Sequence, residues 1–209
     1  MSLTDLLGNN EEGTEIINGV LNAIVVSNKD PEGLGRVKLS FPLLGDKVAS
    51  DWVRVASFFT GKDRGAFFLP KVDDEVLVSF LGGNVNLPYV IGCLWNGVEK
   101  IPVPKNDQQD VSEIKTKSGQ VIRFEEGKKG ERITITDKKN NAIVIDTKKN
   151  TITVTAGKDI TVEAKSGALT LKGSTVTVQA KSSVLIKGAK IDIKATGVMN
   201  LKGKMININ

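Results

Sequence analysis

Apolar residues in the second half of the chain recur in pairs, with one residue inside each pair and a short polar turn before the next. The first such pairs are Ile133/Ile135 and Ile143/Ile145, and the last is Ile206/Ile208. Alternation of apolar and polar residues is typical of a β-strand with one covered face. The pattern therefore predicts a series of about eleven short strands joined by tight turns.

A repeat of 15 residues runs through the last part of the chain. Three segments align without gaps: 169–178, 184–193 and 199–208. Each of them holds two apolar stretches around a Lys-Gly turn, and the Lys-Gly dipeptides stay in register at 172/173, 187/188 and 202/203. A fixed period of this kind predicts stacked supersecondary units rather than a globular core.

Each of these units buries few side chains. Two apolar side chains contribute about 3–6 kcal/mol of gross hydrophobic free energy, against roughly 1–2 kcal/mol of backbone entropy for each ordered residue. One chain is therefore expected to need either a self-closed solenoid or further copies of itself. A three-sided single-chain solenoid would repeat after about 23 residues. The period of 15 instead favours a chain that steps back and forth while two neighbouring copies supply the other faces, although a solenoid of another cross-section could also hold it.

The resulting prediction is an intertwined homotrimer, a triangular β-helix (β-prism needle) on the order of 50 Å long at the usual strand spacing. Its trimer core is predicted from the apolar pairs: Ile152, Val154, Ile160, Val162, Leu169, Leu171, Val176, Val178, Val184, Ile186, Ile191, Ile193, Leu201, Ile206 and Ile208. The lysines lie outside these pairs and are expected to face water. There they favour solubility and protect strand edges; the alternative is that they attract an anionic envelope or nucleic acid.

The first half of the chain has a different pattern. Five segments rich in β-branched and aromatic residues are separated by turns that contain Gly and Pro: Val20–Val26, Arg36–Phe41, Trp52–Ala56, Glu75–Phe80 and Tyr89–Trp95. Five strands with such turns suggest a small closed barrel of the OB type. The predicted fold class is therefore all-β, with an N-terminal OB-type barrel followed by the needle.

Composition divides the chain near residue 105. All six prolines and nine of the ten aromatic residues precede it, and the two parts carry net charges of −4 and +9. We predict a flexible tail at 1–15, an OB barrel at 16–100, a linker at 101–112 and the β-helical needle at 113–209.

The N-terminus lacks a signal-peptide pattern, and no apolar run reaches the roughly 20 residues of a membrane helix. Assembly in the cytoplasm is therefore expected.

Several motifs of the first half resemble a known family. They follow in the order Gly35-Arg-Val37, Asp51-Trp-Val-Arg-Val55, Gly61-Lys-Asp-Arg-Gly65, Val72-Asp-Asp-Glu-Val-Leu-Val-Ser-Phe80 and Leu94-Trp-Asn-Gly97. Together they resemble the barrel domain of phage baseplate spikes (baseplate assembly protein V) and of the valine-glycine-repeat, VgrG-like spikes of type VI secretion. The resemblance implies a needle of three chains that a contracting sheath drives through an envelope. It also implies a minimal form, without hub or lysozyme domains.

Two positions depart from the family pattern. Asp73 stands where a Gly usually precedes Asp-Glu-Val, and Gln120 replaces a His that is common after Ser-Gly. The chain contains no histidine, so imidazole acid–base catalysis and histidine metal ligation are excluded. Cys93 is expected to be a small buried hydrophobe in a strand rather than a nucleophile. We predict no enzyme activity, no cofactor and no metal.

The function predicted from the sequence is the central spike of a contractile injection machine, a membrane-puncturing needle that joins a hub to a tip protein. Its expected partners are two further copies, a hub protein at the barrel end, the target-cell envelope and a PAAR-type tip protein, but no nucleic acid. The tip protein is predicted to dock on Leu201, Met205, Ile206, Ile208 and Asn209. The expected location is a phage tail or injection particle, extracellular or in the target envelope after firing.

The alternative is an OB-fold nucleic-acid- or glycan-binding protein with an oligomerising β-solenoid, in which the barrel aromatics would stack bases. Most of these aromatics lie in strand patterns and are expected to form core instead.

Overall fold

The computed structural model describes residues 17, 19–45, 49–98, 100–128 and 130–207. Within them the regular structure consists of β-strands and three short 3-10 turns, so the all-β prediction is confirmed. The strands are β1 (Val20–Ser27), β2 (Lys38–Ser40), β3 (Arg54–Val55), β4 (Thr60–Gly61), β5 (Arg64–Gly65), β6 (Glu75–Phe80), β7 (Pro88–Cys93), β8 (Val111–Lys115), β9 (Val121–Glu125), β10 (Arg132–Thr136), β11 (Ala142–Asp146) and β12 (Thr151–Thr155). The predicted flexible tail, residues 1–15, lies outside the described residues.

Five strands form one curled sheet in the order β2-β1-β6-β7-β3. Side chains alternate along β6, so that Val76, Val78 and Phe80 are buried. Val37 and Val53 exchange backbone hydrogen bonds of 2.9 and 2.8 Å, which join β2 to β3 and close the sheet. Closure removes the free strand edges that an open sheet would expose. The OB-like barrel predicted from the sequence is therefore present.

Two β-bulges help the barrel strands to bend. Val26 in β1 and Ile91 in β7 are the extra residues, each opposite a shift in the register of its partner strand. A bulge increases the local twist and redirects the side chains that follow. Here both bulged side chains are exposed, whereas their neighbours Val25 and Val90 are fully buried.

The barrel has its own hydrophobic core. The rings of Phe41 and Phe80 lie 6.5 Å apart between centroids. Aliphatic side chains pack around them with almost no exposure: Ala23, Val25, Val37, Leu39, Val53, Val76, Val78 and Val90. Each buried Val or Leu contributes about 1.5–3 kcal/mol to folding. The barrel therefore does not depend on the second half of the chain for a core.

Strands β8 to β12 form a second sheet, here called the meander sheet, in which each strand pairs antiparallel with the next. The connections are tight turns, and Asn140 and Asn150 adopt positive φ angles of 62° and 53° in two of them. Asn tolerates this left-handed conformation better than other non-Gly residues. Asp137 stabilises its turn by accepting backbone hydrogen bonds from Lys139 and Asn141. Strand β8 begins at Val111, close to the predicted start of the needle at residue 113.

The contacts of the chain divide it into two units, with the boundary between Gly157 and Lys158. The described part of the second unit, residues 158–207, is here called the repeat section. None of these residues is assigned to a helix or a strand. Stretches without assigned structure alternate instead with bends at 158, 165–167, 174, 181–182, 189, 196–197 and 204. The bends at 174, 189 and 204 repeat every 15 residues, as the sequence does, but the needle itself stays a prediction.

Candidate assembly surfaces

The meander sheet has one apolar face, and that face is uncovered in the single chain. Cross-strand partners arrange its side chains in two rows. One row runs through Phe124, Ile133, Ile145 and Ile152; the other runs through Ile114, Ile122, Ile135, Ile143 and Val154. From β8 to β11 these side chains are 37–49% exposed. Contiguous apolar surface of this kind marks an interaction site.

Charged side chains on the opposite face of the meander sheet form ion pairs with one another. Arg132 lies between Asp146 and Glu125, at 3.3 and 3.6 Å, and Arg123 lies 3.7 Å from Glu113. The backbone amide of Lys149 and the guanidinium of Arg132 hold the pKa of the Asp146 carboxyl below its usual range. A face with paired charges suits water, so the apolar face is the one that requires a partner.

An open trough of 520 Å³ lies on the apolar face. Ile122, Ile135 and Ile143 are among the residues that form its floor, and polar side chains of the β8–β9 and β10–β11 turns, including Gln120 and Asn141, form its rim. Gln120 belongs to the β8–β9 turn, where its side chain contacts the hydroxyls of Thr116 and Ser118. The trough contains no acid–base pair, and its shape and lining suit the burial of apolar side chains.

The repeat section exposes its apolar pairs as well. Described members of the predicted trimer core, from Ile152 to Ile206, are 49–72% exposed in the single chain. Leu201, Met205 and Ile206 of the predicted tip-docking set are also exposed, whereas Ile208 and Asn209 lie outside the described residues. These side chains are therefore accessible in the single chain. The contacts that they would make in a trimer or with a tip protein remain predictions.

Glycine has a specific role in the Lys-Gly turns. A Cβ on Gly173, Gly188 or Gly203 would lie 3.1 Å from the carbonyl oxygen two residues further along the chain. A Cβ on Gly188 would also lie 3.7 Å from Cγ1 of Ile191, the first residue of the next apolar pair. Within that pair Ile191 is less exposed than Ile193, at 49% against 69%. The identical distances in three turns show that the sequence repeat is also a repeat of backbone geometry.

The barrel carries a third apolar surface, here called the aromatic patch: Leu34, Phe58, Phe59, Phe67 and Phe68. These side chains are 53–87% exposed and flank the β4–β5 hairpin. Phe58 and Phe68 stack with ring centroids 6.4 Å apart. The expectation that most barrel aromatics form core is wrong for these residues and for Trp95, while Trp52 and Tyr89 are half-buried. The hairpin extends them beyond the barrel core, which a strand pattern alone does not reveal.

The loop that presents Leu34 is held by a single carboxylate. Asp30 accepts hydrogen bonds from the backbone amides of Glu32, Leu34 and Arg36 at 3.1, 3.0 and 3.3 Å. It also accepts two from the Arg36 guanidinium, at 2.9 and 2.7 Å. The Arg36 guanidinium lowers the pKa of Asp30 well below its usual range. The aromatic patch therefore includes a preorganised loop, which reduces the entropy lost on binding.

Cys93 is exposed, so the expectation that it is buried is wrong. It lies near the end of β7, where the chain leaves the barrel, and side chains there can reach solvent on the outer surface. Partial desolvation of the thiol, followed by the charge of Asp74, raises the pKa of Cys93 above its usual range. A thiol that stays protonated near neutral pH is a poor nucleophile.

Asp73 occupies the third position of a turn from Lys71 to Asp74, closed by a 3.1 Å backbone hydrogen bond. Its φ angle is 77°, the left-handed conformation that this position of a type II turn requires. This explains why glycine is usual there in the family that the sequence resembles.

The described residues offer no group of three or more acidic or cysteine side chains that could hold a metal ion. In the same part of the chain no helix is long and apolar enough to span a bilayer.

Comparison with known proteins identifies relatives of the barrel. Residues 21–95 match the type VI secretion system/phage-baseplate injector OB domain. The type VI secretion system spike protein VgrG1b of Pseudomonas aeruginosa is 31% identical over an alignment of 144 positions, which covers 61% of this chain and 19% of that protein. VgrG5 of the same organism is 37% identical over 48% of this chain and 14% of its own length. VgrG3 of Vibrio cholerae is 30% identical over 59% of this chain and 14% of its own length.

The resemblance to the spike family is thereby confirmed. The chain spans about a fifth or less of the length of these curated relatives.

Proposed function

We propose that this chain, which carries an injector OB domain in residues 21–95, is the central spike of a contractile injection machine such as a phage tail, a tailocin or a type VI system. The similarity to several proteins named as type VI spike proteins supports a structural role. The observation that carries the proposal is the long series of exposed apolar pairs that follows the barrel. A single chain leaves them in water, and association with further copies would cover them.

Three copies of the chain would cover them best. Each copy supplies one side of a triangular needle, with the apolar face of the meander sheet and the apolar pairs of the repeat section directed inward. The paired charges of Arg123 and Arg132 then face solvent. This arrangement agrees with the 15-residue repeat, which holds two strands. A chain with this repeat steps back and forth on one side of the triangle, and the two neighbouring copies supply the other sides.

The mechanism would be mechanical. The needle would be pushed by a contracting sheath through the target envelope, and its basic outer surface would be attracted to anionic groups there. The chain would be assembled into the machine in the cytoplasm and would reach the extracellular space or the target envelope on firing. No step requires a reacting side chain, a cofactor or a metal.

The barrel would connect the needle to a hub. The aromatic patch supports this because exposed Phe side chains on a preorganised loop and hairpin are typical of protein–protein contacts. A PAAR-type tip protein would dock on Leu201, Met205, Ile206, Ile208 and Asn209.

The second candidate function is the binding of single-stranded nucleic acid, or of a glycan, by the barrel. The exposed aromatic patch supports this function more strongly than the amino-acid sequence does. The net charge of −4 in the first half comes entirely from residues 1–15, because residues 16–100 carry equal numbers of acidic and basic residues. A neutral barrel still lacks the basic groove that tracks a phosphate backbone. Salt-sensitive binding of a fluorescent oligothymidine, lost in a Phe58→Ser/Phe68→Ser variant, would establish this function.

The decisive experiment for the spike is the mass of the purified protein by light scattering. A trimer of 22.4 kDa chains has a mass of about 67 kDa and is expected to resist SDS before boiling. A folded 22.4 kDa monomer would refute the proposal.

A further inference from the structure

A cleft of 790 Å³, here called the junction cleft, lies between the barrel and the first strand of the meander sheet. The start of β6 contributes Glu75 to it, the end of β7 contributes Cys93 and the end of β8 contributes Lys115. The barrel and the meander sheet belong to the same one of the chain's two units. The volume is typical of a small-ligand site, for which about 300–1,000 Å³ is usual.

The junction cleft collects positive charge from three parts of the chain. Four lysines line it: Lys71, Lys100, Lys115 and Lys117. Within the part of the chain that the structure describes, none of these lysines forms an ion pair. An ammonium group donates hydrogen bonds and accepts none, and its strongest partners are anionic oxygens. The lysines therefore suit a ligand that carries a negative charge.

The junction cleft also contains three carboxylates, on Asp73, Asp74 and Glu75. Asp74 accepts a 2.7 Å hydrogen bond from the Lys71 amide, and Glu75 accepts one of 2.7 Å from Nδ2 of Asn22. These contacts anchor the two side chains, and each carboxylate can still accept further hydrogen bonds. A ligand with negative charge alone would be repelled by them. The ligand must therefore bring hydroxyl or amide donors together with its charge.

Trp95 gives the junction cleft a flat apolar surface. Its side chain lines the cleft and is 62% exposed, so one face of the indole ring is free for contact. Aromatic rings of this kind bury a large area against a ligand with little loss of side-chain entropy. The cleft thus combines cations, hydrogen-bond acceptors and an aromatic surface. A sugar acid matches all three, because it has a carboxylate, several hydroxyl groups and a ring with an apolar face.

We propose that the junction cleft binds a carboxylate-bearing oligosaccharide. The lysines hold the carboxylate, the acidic side chains accept hydrogen bonds from the hydroxyl groups, and Trp95 packs against a sugar ring. A phosphate backbone lacks the hydroxyl donors, and a neutral glycan lacks the charge. This inference goes beyond the proposed spike, because one chain supplies the whole site. It also differs from glycan binding at the aromatic patch, with which the junction cleft shares no residue.

The proposed trimer would leave the junction cleft accessible. Lys115 lies on the charged face of the meander sheet together with Glu113, because residues two apart on a strand point to the same side. In the proposed trimer that face is directed toward solvent. The cleft can therefore be tested on the protein in whichever state of association it adopts.

The first test uses Cys93, which lines the cleft, is exposed and is the chain's only cysteine. Its alkylation by N-ethylmaleimide is followed by mass spectrometry with and without tetragalacturonate. At about ten times the dissociation constant, the sugar acid should slow the reaction about tenfold. Its methyl ester, which has the same rings without the charge, should not. An unchanged rate, or equal protection by the ester or by an oligothymidine, would overturn the inference.

The second test compares lysines by calorimetric titration of tetragalacturonate. Lys115→Gln/Lys117→Gln should weaken binding at least about tenfold, since hydrogen bonds to charged groups are lost. Lys148→Gln/Lys149→Gln is the matched control, because it removes the same charge from the β11–β12 turn, outside the cleft. Equal losses in the two variants would overturn the inference.

The aromatic contact is tested in the same titration. Trp95→Ala should weaken binding, whereas Phe58→Ser/Phe68→Ser should retain it, and the reverse result would move the glycan to the aromatic patch and overturn the inference. The unfolding transition of the barrel verifies that each variant folds, and the alkylation of the wild type needs no variant. A trimer that fails to bind the sugar acid would refute this inference alone. A monomer that binds it would refute the spike alone.

Discussion

Asp30 and Arg36 form a two-point contact, with hydrogen bonds of 2.9 Å from Nε and 2.7 Å from Nη2, that closes the loop between β1 and β2. The Arg36 guanidinium lowers the pKa of Asp30, so the folded barrel favours the carboxylate. Leu34 of the aromatic patch belongs to this loop and donates its amide to the same carboxylate. The order of the loop therefore depends on the charge of Asp30.

An Asp30→Asn variant is expected to be less stable than the wild type at pH 7 and to approach it in acid. Because the pKa of Asp30 is lower in the folded protein, its contribution is complete above the unfolded value of about 3.9. The contribution is lost as the pH falls toward the folded value. Thermal unfolding at pH 7 and at several pH values from 4 down to 2 measures this. A Glu32→Gln variant is the control, since Glu32 contacts the same guanidinium at 3.0 Å but is largely exposed. A stability difference that is constant with pH would contradict the prediction.

Asp73→Gly should stabilise the barrel by up to about 1 kcal/mol, because glycine adopts a φ of 77° without steric cost. Asp73→Val should destabilise it by about 1–2 kcal/mol for the opposite reason. Urea denaturation compares the free energies of unfolding. If both variants lost stability equally, the Asp73 side chain rather than the backbone would determine the turn.

Gly188→Ala should lower the stability of the assembled needle. The new Cβ would lie 3.1 Å from the Lys190 carbonyl oxygen and would restrict the approach of Ile191. Gly197→Ala is the matched control, since no atom lies within 4 Å of its Cβ position. The temperature at which the trimer dissociates in SDS should fall for the first variant and stay the same for the second. Equal shifts would show that the Lys-Gly turns have no special geometry.

Two neighbouring residues of β10 test the faces of the meander sheet. Ile133 belongs to the apolar face, whereas Thr134 is half-buried on the charged face. A buried, unpaired carboxylate is costly, so Ile133→Asp should abolish the trimer while Thr134→Asp retains it. Light scattering gives the masses, and the unfolding transition of the barrel verifies that each variant folds. A trimeric Ile133→Asp variant would mean that the apolar face is not an interface.

The strands of the barrel could be predicted from the sequence because their alternation is regular. Glu75–Phe80 was predicted with the bounds that β6 has, and Val20–Val26 differs from β1 by one residue. The 15-residue repeat likewise appears as regular bends. In both cases the side-chain period follows directly from the backbone geometry.

The surfaces were harder to predict. The Phe residues beside the β4–β5 hairpin have the composition of a core, and only the position of the hairpin shows that they are exposed. Cys93 has a strand pattern around it, but alternation does not say which face of β7 is inside at that point. The hydrogen bond from the Gly157 amide to Asn141 has no signal in the hydrophobic pattern, which is the same on both sides of that residue.

The stacking of β8 to β12 gives this part of the molecule a mechanical direction. Backbone hydrogen bonds between antiparallel strands run along the direction in which the strands stack. Compression in that direction is opposed by van der Waals repulsion between strands that already lie about 4.8 Å apart. Tension would instead open the sheet one ladder at a time, at about 1 kcal/mol for each hydrogen bond. The sheet therefore withstands compression along its stacking direction far better than tension.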